Sequence, residues 1–152
     1  MKGEGNKVRT IVAFVALALS FNAWAGPAED AGQVVQRWAA AFEARDLDAI
    51  GRLYAPEAFF WGTSSKTLVT APEGVREYFE RAFSATQSPK ITVSEQKAMV
   101  LSDSLVAIVS TDAVAGTRDD KPYLSPGRTS WLLAKRGGEW KIVQFHRSSI
   151  PR

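Results

Sequence analysis

The chain contains a single histidine, His146, followed at once by Arg147 and Ser148. Imidazole titrates near neutrality. His146 is therefore the first candidate for a general acid or base, or for a hydrogen bond to a ligand at a pocket floor. The plainer role is structural, with a ring N–H donated to a carbonyl or carboxylate, because the sequence nominates no orienting partner for catalysis. Ser148 lies two residues on, so a strand carries both on one face. A Ser–His pair is still no nucleophile without an acid and an oxyanion site. Arg147 leaves that face and reads as an interface or surface ion-pair residue. Asp112 lies mid-run in Ile108-Val109-Ser110-Thr111-Asp112-Ala113-Val114. A carboxylate there must be solvated, paired or functional. As a general base it would need a raised pKa; the favoured reading is an outer-face Asp paired with an Arg or Lys of a neighbouring strand. With one histidine, no cysteine and no ligand spacing among Asp112, Asp119 and Asp120, no metal is expected. No cofactor is expected either.

These residues must be held by a domain, and the first part of the chain does not read as one. Lys2, Lys7 and Arg9 precede an apolar run, Ile11 to Phe21, and then Ala23-Trp24-Ala25. That is the order of a secretory signal cut after Ala25, and the run is shorter than the roughly 20 residues a spanning helix needs. The expected organisation is a signal peptide over 1–25 and one domain over 26–152, periplasmic or secreted. The formal charge of +3 belongs partly to the signal. No run of five or more Lys/Arg remains, so neither nucleic acid nor, after cleavage, a membrane is expected as partner. Without cysteines, an exported domain rests on its core and on self-association.

Within the domain, Val34, Val35, Trp38, Ala41 and Phe42 mark one face of a helix over Ala28 to Arg45. Asp46 can cap a second helix, Leu47 to Leu53. Ala58 to Gly62 reads as an aromatic strand, with a short return over Thr67 to Val69. Thr70-Ala71-Pro72-Glu73 starts a third helix, with Thr70 as a capping-box candidate. Val75, Tyr78, Phe79, Ala82 and Phe83 form its apolar stripe. From Ile91 the chain turns to β: Ile91 to Leu101, bent near Glu95 to Lys97; Leu105 to Gly116; a loop over Thr117 to Pro126; then Gly127 to Lys135 and Glu139 to Arg147. Arg136-Gly137-Gly138 makes the tight turn between the last two. Helices gathered ahead of a strand-rich half predict an α+β domain, three N-terminal helices packed on a strongly curved antiparallel sheet.

This order resembles the cone-shaped nuclear transport factor 2-like fold. The closing stretch Gly138-Glu139-Trp140-Lys141-Ile142-Val143-Gln144-Phe145-His146-Arg147-Ser148, with Pro151 beyond, is similar to the end of the calcium/calmodulin-dependent protein kinase II association (hub) domain. It is equally similar to bacterial SnoaL-like and DUF4440-type relatives, as are Asp46 to Ile50 with Leu53-Tyr54, and Phe60-Trp61-Gly62. The resemblance implies a homodimer or larger ring and a pocket in each protomer. It implies no kinase activity, since no kinase signature is present. A gap-free alignment with the hub puts Thr111 and Trp131 where the hub's pocket carries arginines, so an apolar cavity is expected. Trp61, Tyr78, Thr111, Trp131 and His146 are expected to line it.

Three functions follow from these residues. The leading one is an exported binder of a small apolar molecule that dimerises through its sheet. A second is a cyclase, isomerase or hydrolase using His146. The isomerase form needs a base and an oxyanion hole; Tyr54 or Tyr78 could serve the latter, but no inward acid is identified. The third is an oligomerisation module with no ligand.

Overall fold

A computed structural model describes residues 26–151, so the segment expected to be a signal lies outside the described residues. Helix α1 (Pro27–Ala44) starts at a proline in its first turn and ends where Arg45 turns left-handed. Its buried stripe is the one the periodicity predicts. Helix α2 (Leu47–Leu53) is capped by Asp46, whose carboxylate accepts the Ala49 N–H at 2.8 Å. Strand β1 (Tyr54–Trp61) follows directly, and the expected return strand is a single antiparallel bridge, Phe60 to Val69. Helix α3 (Pro72–Ala85) begins at Ala71 without a side-chain cap, so Thr70 does not take the capping role. Four strands complete the chain: β2 (Gln87–Ser102), β3 (Leu105–Arg118), β4 (Lys121–Arg136) and β5 (Glu139–Ser149). Among the described residues, no helix is long and apolar enough to cross a membrane.

The five strands form one sheet in the order β1-β5-β4-β3-β2, antiparallel except that β1 runs parallel to β5. The helices pack on one face of this curved sheet. Trp38 and Phe42 of α1 meet Phe79 and Phe83 of α3, and Trp38 also reaches Trp131 and Phe145 of the sheet. Phe60 stacks on Phe145 with centroids 5.0 Å apart. Burying each such ring contributes about 1.5–3 kcal/mol. The Trp38 indole N–H donates to the Tyr54 hydroxyl at 3.0 Å, giving two buried polar groups a partner. Burial pushes the Tyr54 phenol well above its ordinary range.

The segment Thr117 to Pro126 is not a loop. Strands β3 and β4 stay paired out to Arg118 and Lys121, around Asp119 and Asp120, both at positive φ. That is the geometry of a two-residue hairpin turn, and Asp tolerates it better than most residues. The bend expected near Glu95 is present: the β2–β3 register shifts between Ser94 and Lys97, and Glu95 has φ 45°.

Candidate functional site

Between the helices and the open end of the sheet lies a cavity of about 450 Å³. Its floor is apolar: Trp38, Phe42, Phe79, Phe145 and Val114. Its rim is polar: Thr63 and Ser64 after β1, Tyr78 and Arg81 of α3, Arg118 and Tyr123 of the β3–β4 hairpin, and Arg147 of β5. Among the described residues, no Asp, Glu or His lines it.

Which residues reach this cavity is decided by one irregularity. Opposite Leu132 and Leu133 of β4 stand Gln144 and Ile142 of β5, leaving Val143 as an extra residue. Such a bulge exchanges the two faces of a strand downstream of it. Trp140 and Ile142 point to the core before the bulge, and Phe145 and Arg147 do so after it. His146 is therefore exposed on the outer face, across the sheet from the cavity. It makes no side-chain hydrogen bond among the described residues. It sits beside Ser130 and Ser148 in a shallow groove with Val109 and Arg128.

Arg147 is buried rather than superficial, and its partner is Asp112. The Nε and Nη2 groups meet Asp112 Oδ1 at 2.7 and 2.6 Å. Nη1 donates to Thr63 Oγ1 and Nη2 to the Ser125 carbonyl, each at 2.8 Å. The other Asp112 oxygen accepts the Thr129 hydroxyl at 2.5 Å. Asp112 thus faces inward, not outward as expected, and its partner is an Arg but not one of a neighbouring strand: Arg147 lies on β5, across β4 from Asp112. Space for the guanidinium exists only because residue 127 is glycine: a Cβ there would overlap the Arg147 head.

The five residues expected to line the cavity separate. Tyr78 lines it. Its ring rests on Gly62, where a methyl group would overlap it. Trp131 is inward and buried, but belongs to the core, edge-on to Trp38 and Phe145. Thr111 is on the outer face: it stands opposite Arg128 while Trp131 stands opposite Ile108, so the two cannot share a face. Its hydroxyl meets Glu95 at 3.3 Å. Trp61 stands beside His146 in the β1–β5 register and is 39% exposed, also outside. Among the described residues, no three His, Asp or Glu side chains converge as metal ligands would.

Arg118 falls in the stretch that the sequence predicts to be a loop, yet it lies on the inward face of β3 in line with Asp112, Val114 and Gly116. Its Nε donates to Thr86 Oγ1 at 2.7 Å, and its guanidinium lies 3.5 Å above the Tyr123 ring. The alternation of β3 continued two residues past Gly116 would have found it.

Comparison with known proteins fits this geometry. The SnoaL-like domain family model matches residues 32–152. A candidate calcium/calmodulin-dependent protein kinase II association domain from Xanthomonas campestris superposes with a TM-score of 0.75 at 22% identity, covering 82% of this chain and 88% of that one. A candidate NTF2-like dehydratase from Streptomyces avermitilis superposes with a TM-score of 0.74 at 11% identity, covering 82% and 96%. A hexachlorocyclohexane dehydrochlorinase (LinA type 2) gives 0.72 at 11%, covering 80% and 84%. No curated protein matches the sequence.

Proposed function

The chain belongs to the SnoaL-like domain family, and from that premise we propose that it is an exported protein that binds a small, largely apolar molecule in its cone cavity. The observation that carries this is the cavity itself, with its floor of Trp38, Phe42, Phe79 and Phe145. Concave apolar sites with a few convergent polar groups are where small ligands bind. Turnover of the kind named for several structural neighbours is less well supported. Eliminating water or hydrogen chloride needs a base within reach of the substrate. His146 is across the sheet, no Asp or Glu among the described residues lines the cavity, and Asp112 behind it is held by Arg147 and Thr129.

The test is native mass spectrometry of the protein purified from the compartment that receives it. An extra small mass lost on denaturation, and lost in Ala82→Trp, which fills the cavity, is the expected result. A ligand retained unchanged by Ala82→Trp would place binding elsewhere and overturn the reading. The intact mass of the same sample reports whether the chain starts at Gly26, as export requires.

A second reading, self-association through the sheet, rests on the outer face. Phe59, Met99 and Val109 are more than half exposed there, and the register joins Trp61, His146, Ser130 and Val109 in one row. An apolar sheet face of this kind suits a second copy. Val109→Glu should then convert a dimer to a monomer in sedimentation equilibrium; a wild-type monomer at micromolar concentration would end the reading.

A further inference from the structure

Resting on the cavity-binding reading, we propose that the ligand is an amphipathic carboxylate, its flat apolar body on the aromatic floor and its carboxylate held by Arg118 at the rim. Among the described residues, the cavity wall carries three arginines, Arg81, Arg118 and Arg147, and no acidic side chain. Their charges are not equivalent. Arg147 is neutralised by Asp112 at 2.6 Å. Arg81 leans on Glu77 at 3.7 Å and is 70% exposed, so water screens it. Arg118 has no carboxylate partner among the described residues. It is nevertheless held in place: Thr86 takes its Nε–H and Tyr123 lies under its plane.

That arrangement leaves the two terminal amino groups of Arg118 without a protein acceptor among the described residues. A guanidinium so presented matches the two oxygens of a carboxylate. Its rotamer is already fixed by Thr86 and Tyr123, so little ordering is left for binding to impose. Low-dielectric walls of Trp38, Phe42 and Phe79 strengthen the attraction over that of an arginine in open water. Gly116 lets the hairpin close on this side: a Cβ there would overlap Thr86, the residue that anchors Arg118.

The experiment compares 2-naphthoate with neutral 2-naphthamide by isothermal titration calorimetry, on wild type, Arg118→Gln and Arg118→Lys. A charge-assisted pair of hydrogen bonds predicts 2-naphthoate binding about 10- to 100-fold tighter than the amide. Arg118→Gln should abolish that preference while leaving the amide's affinity within about twofold. Arg118→Lys keeps the charge but not the fork, and should restore part of the preference. Equal binding of both probes, or a preference that survives Arg118→Gln, overturns this inference and leaves the cavity-binding reading standing. If neither probe binds a folded wild-type protein, this inference falls, while the cavity-binding reading is decided by the mass spectrometry of wild type and Ala82→Trp. Near-ultraviolet circular dichroism of each variant confirms that its core is intact.

Discussion

Removing the carboxylate of Asp112 is the sharpest perturbation the structure offers. The Asp112 and Arg147 side chains are 2% and 9% exposed, so solvent can do little to take over from a lost partner. In Asp112→Ala, Arg147 loses its counter-charge and its Nε and Nη2 bonds to Oδ1, while Thr129 loses its acceptor. Stranding a buried charge in this way costs about 3–5 kcal/mol. For a domain of this size that lowers Tm by roughly 10–20 °C. Pairing the change with Arg147→Met should recover much of the loss, because an apolar replacement leaves no orphan charge. Urea unfolding of the wild type, both single variants and the double variant gives the coupling energy directly. The expected coupling exceeds about 2 kcal/mol and changes little with salt, the pair being shielded from ions. A single-variant cost under about 1 kcal/mol, with the slope against urea unchanged, would refute the argument that the pair is desolvated.

Other outcomes follow from the same geometry. Trp131→Ala should cost about 3–5 kcal/mol in the same unfolding assay, as a core ring wedged between Trp38 and Phe145 must. His146→Ala should leave monomer stability within about 0.5 kcal/mol and naphthamide affinity unaltered; a tenfold loss of binding would show that the outer groove communicates with the cavity. Glu43 accepts the Ile91 N–H at 3.0 Å and, on its other oxygen, Lys90 at 3.2 Å. The backbone N–H first, and Lys90 with it, holds its carboxyl below the ordinary value of 4.5. A depressed folded pKa means that this stabilisation is complete above the ordinary value and is lost as pH falls through the folded one. Thermal melts below pH 4.5 should therefore fall less steeply for Glu43→Gln than for wild type; parallel curves would contradict it.

The helices were legible because their periodicity and end signals agree: the Val34–Phe42 stripe, Asp46 at its cap, Pro72 in a first turn. The Gly137-Gly138 turn was legible because positive φ suits glycine, and both residues adopt it. The β3–β4 hairpin was hidden by Pro122 and Pro126, which ordinarily argue against a strand. The structure accommodates Pro126 by position. Its carbonyl faces β5 and accepts the Ile150 N–H just past the end of that strand, so its missing N–H leaves little of the ladder unpaired. The site was less legible for a different reason. Alternation along β5 is a reliable guide only while the strand is regular, and no residue type near Val143 announces a bulge. Counting faces by twos from Trp140 puts His146 inside; the extra residue puts Arg147 there instead.

That single extra residue sets the cavity's chemistry through the path of the chain and not through any one side chain. Point changes along β5 alter one side chain at a time, and each inherits the face it stands on. Without Val143, Gln144 would follow Ile142 directly, and Phe145 and Arg147 would keep the faces they hold. Paired without the bulge at its present length, the strand would exchange two whole columns, delivering an imidazole to the interior and a guanidinium to the exterior. Asp112 would then face an imidazole in place of a permanent cation. A slip of one residue in pairing thus separates a cavity whose acid is neutralised from one holding an acid–imidazole pair.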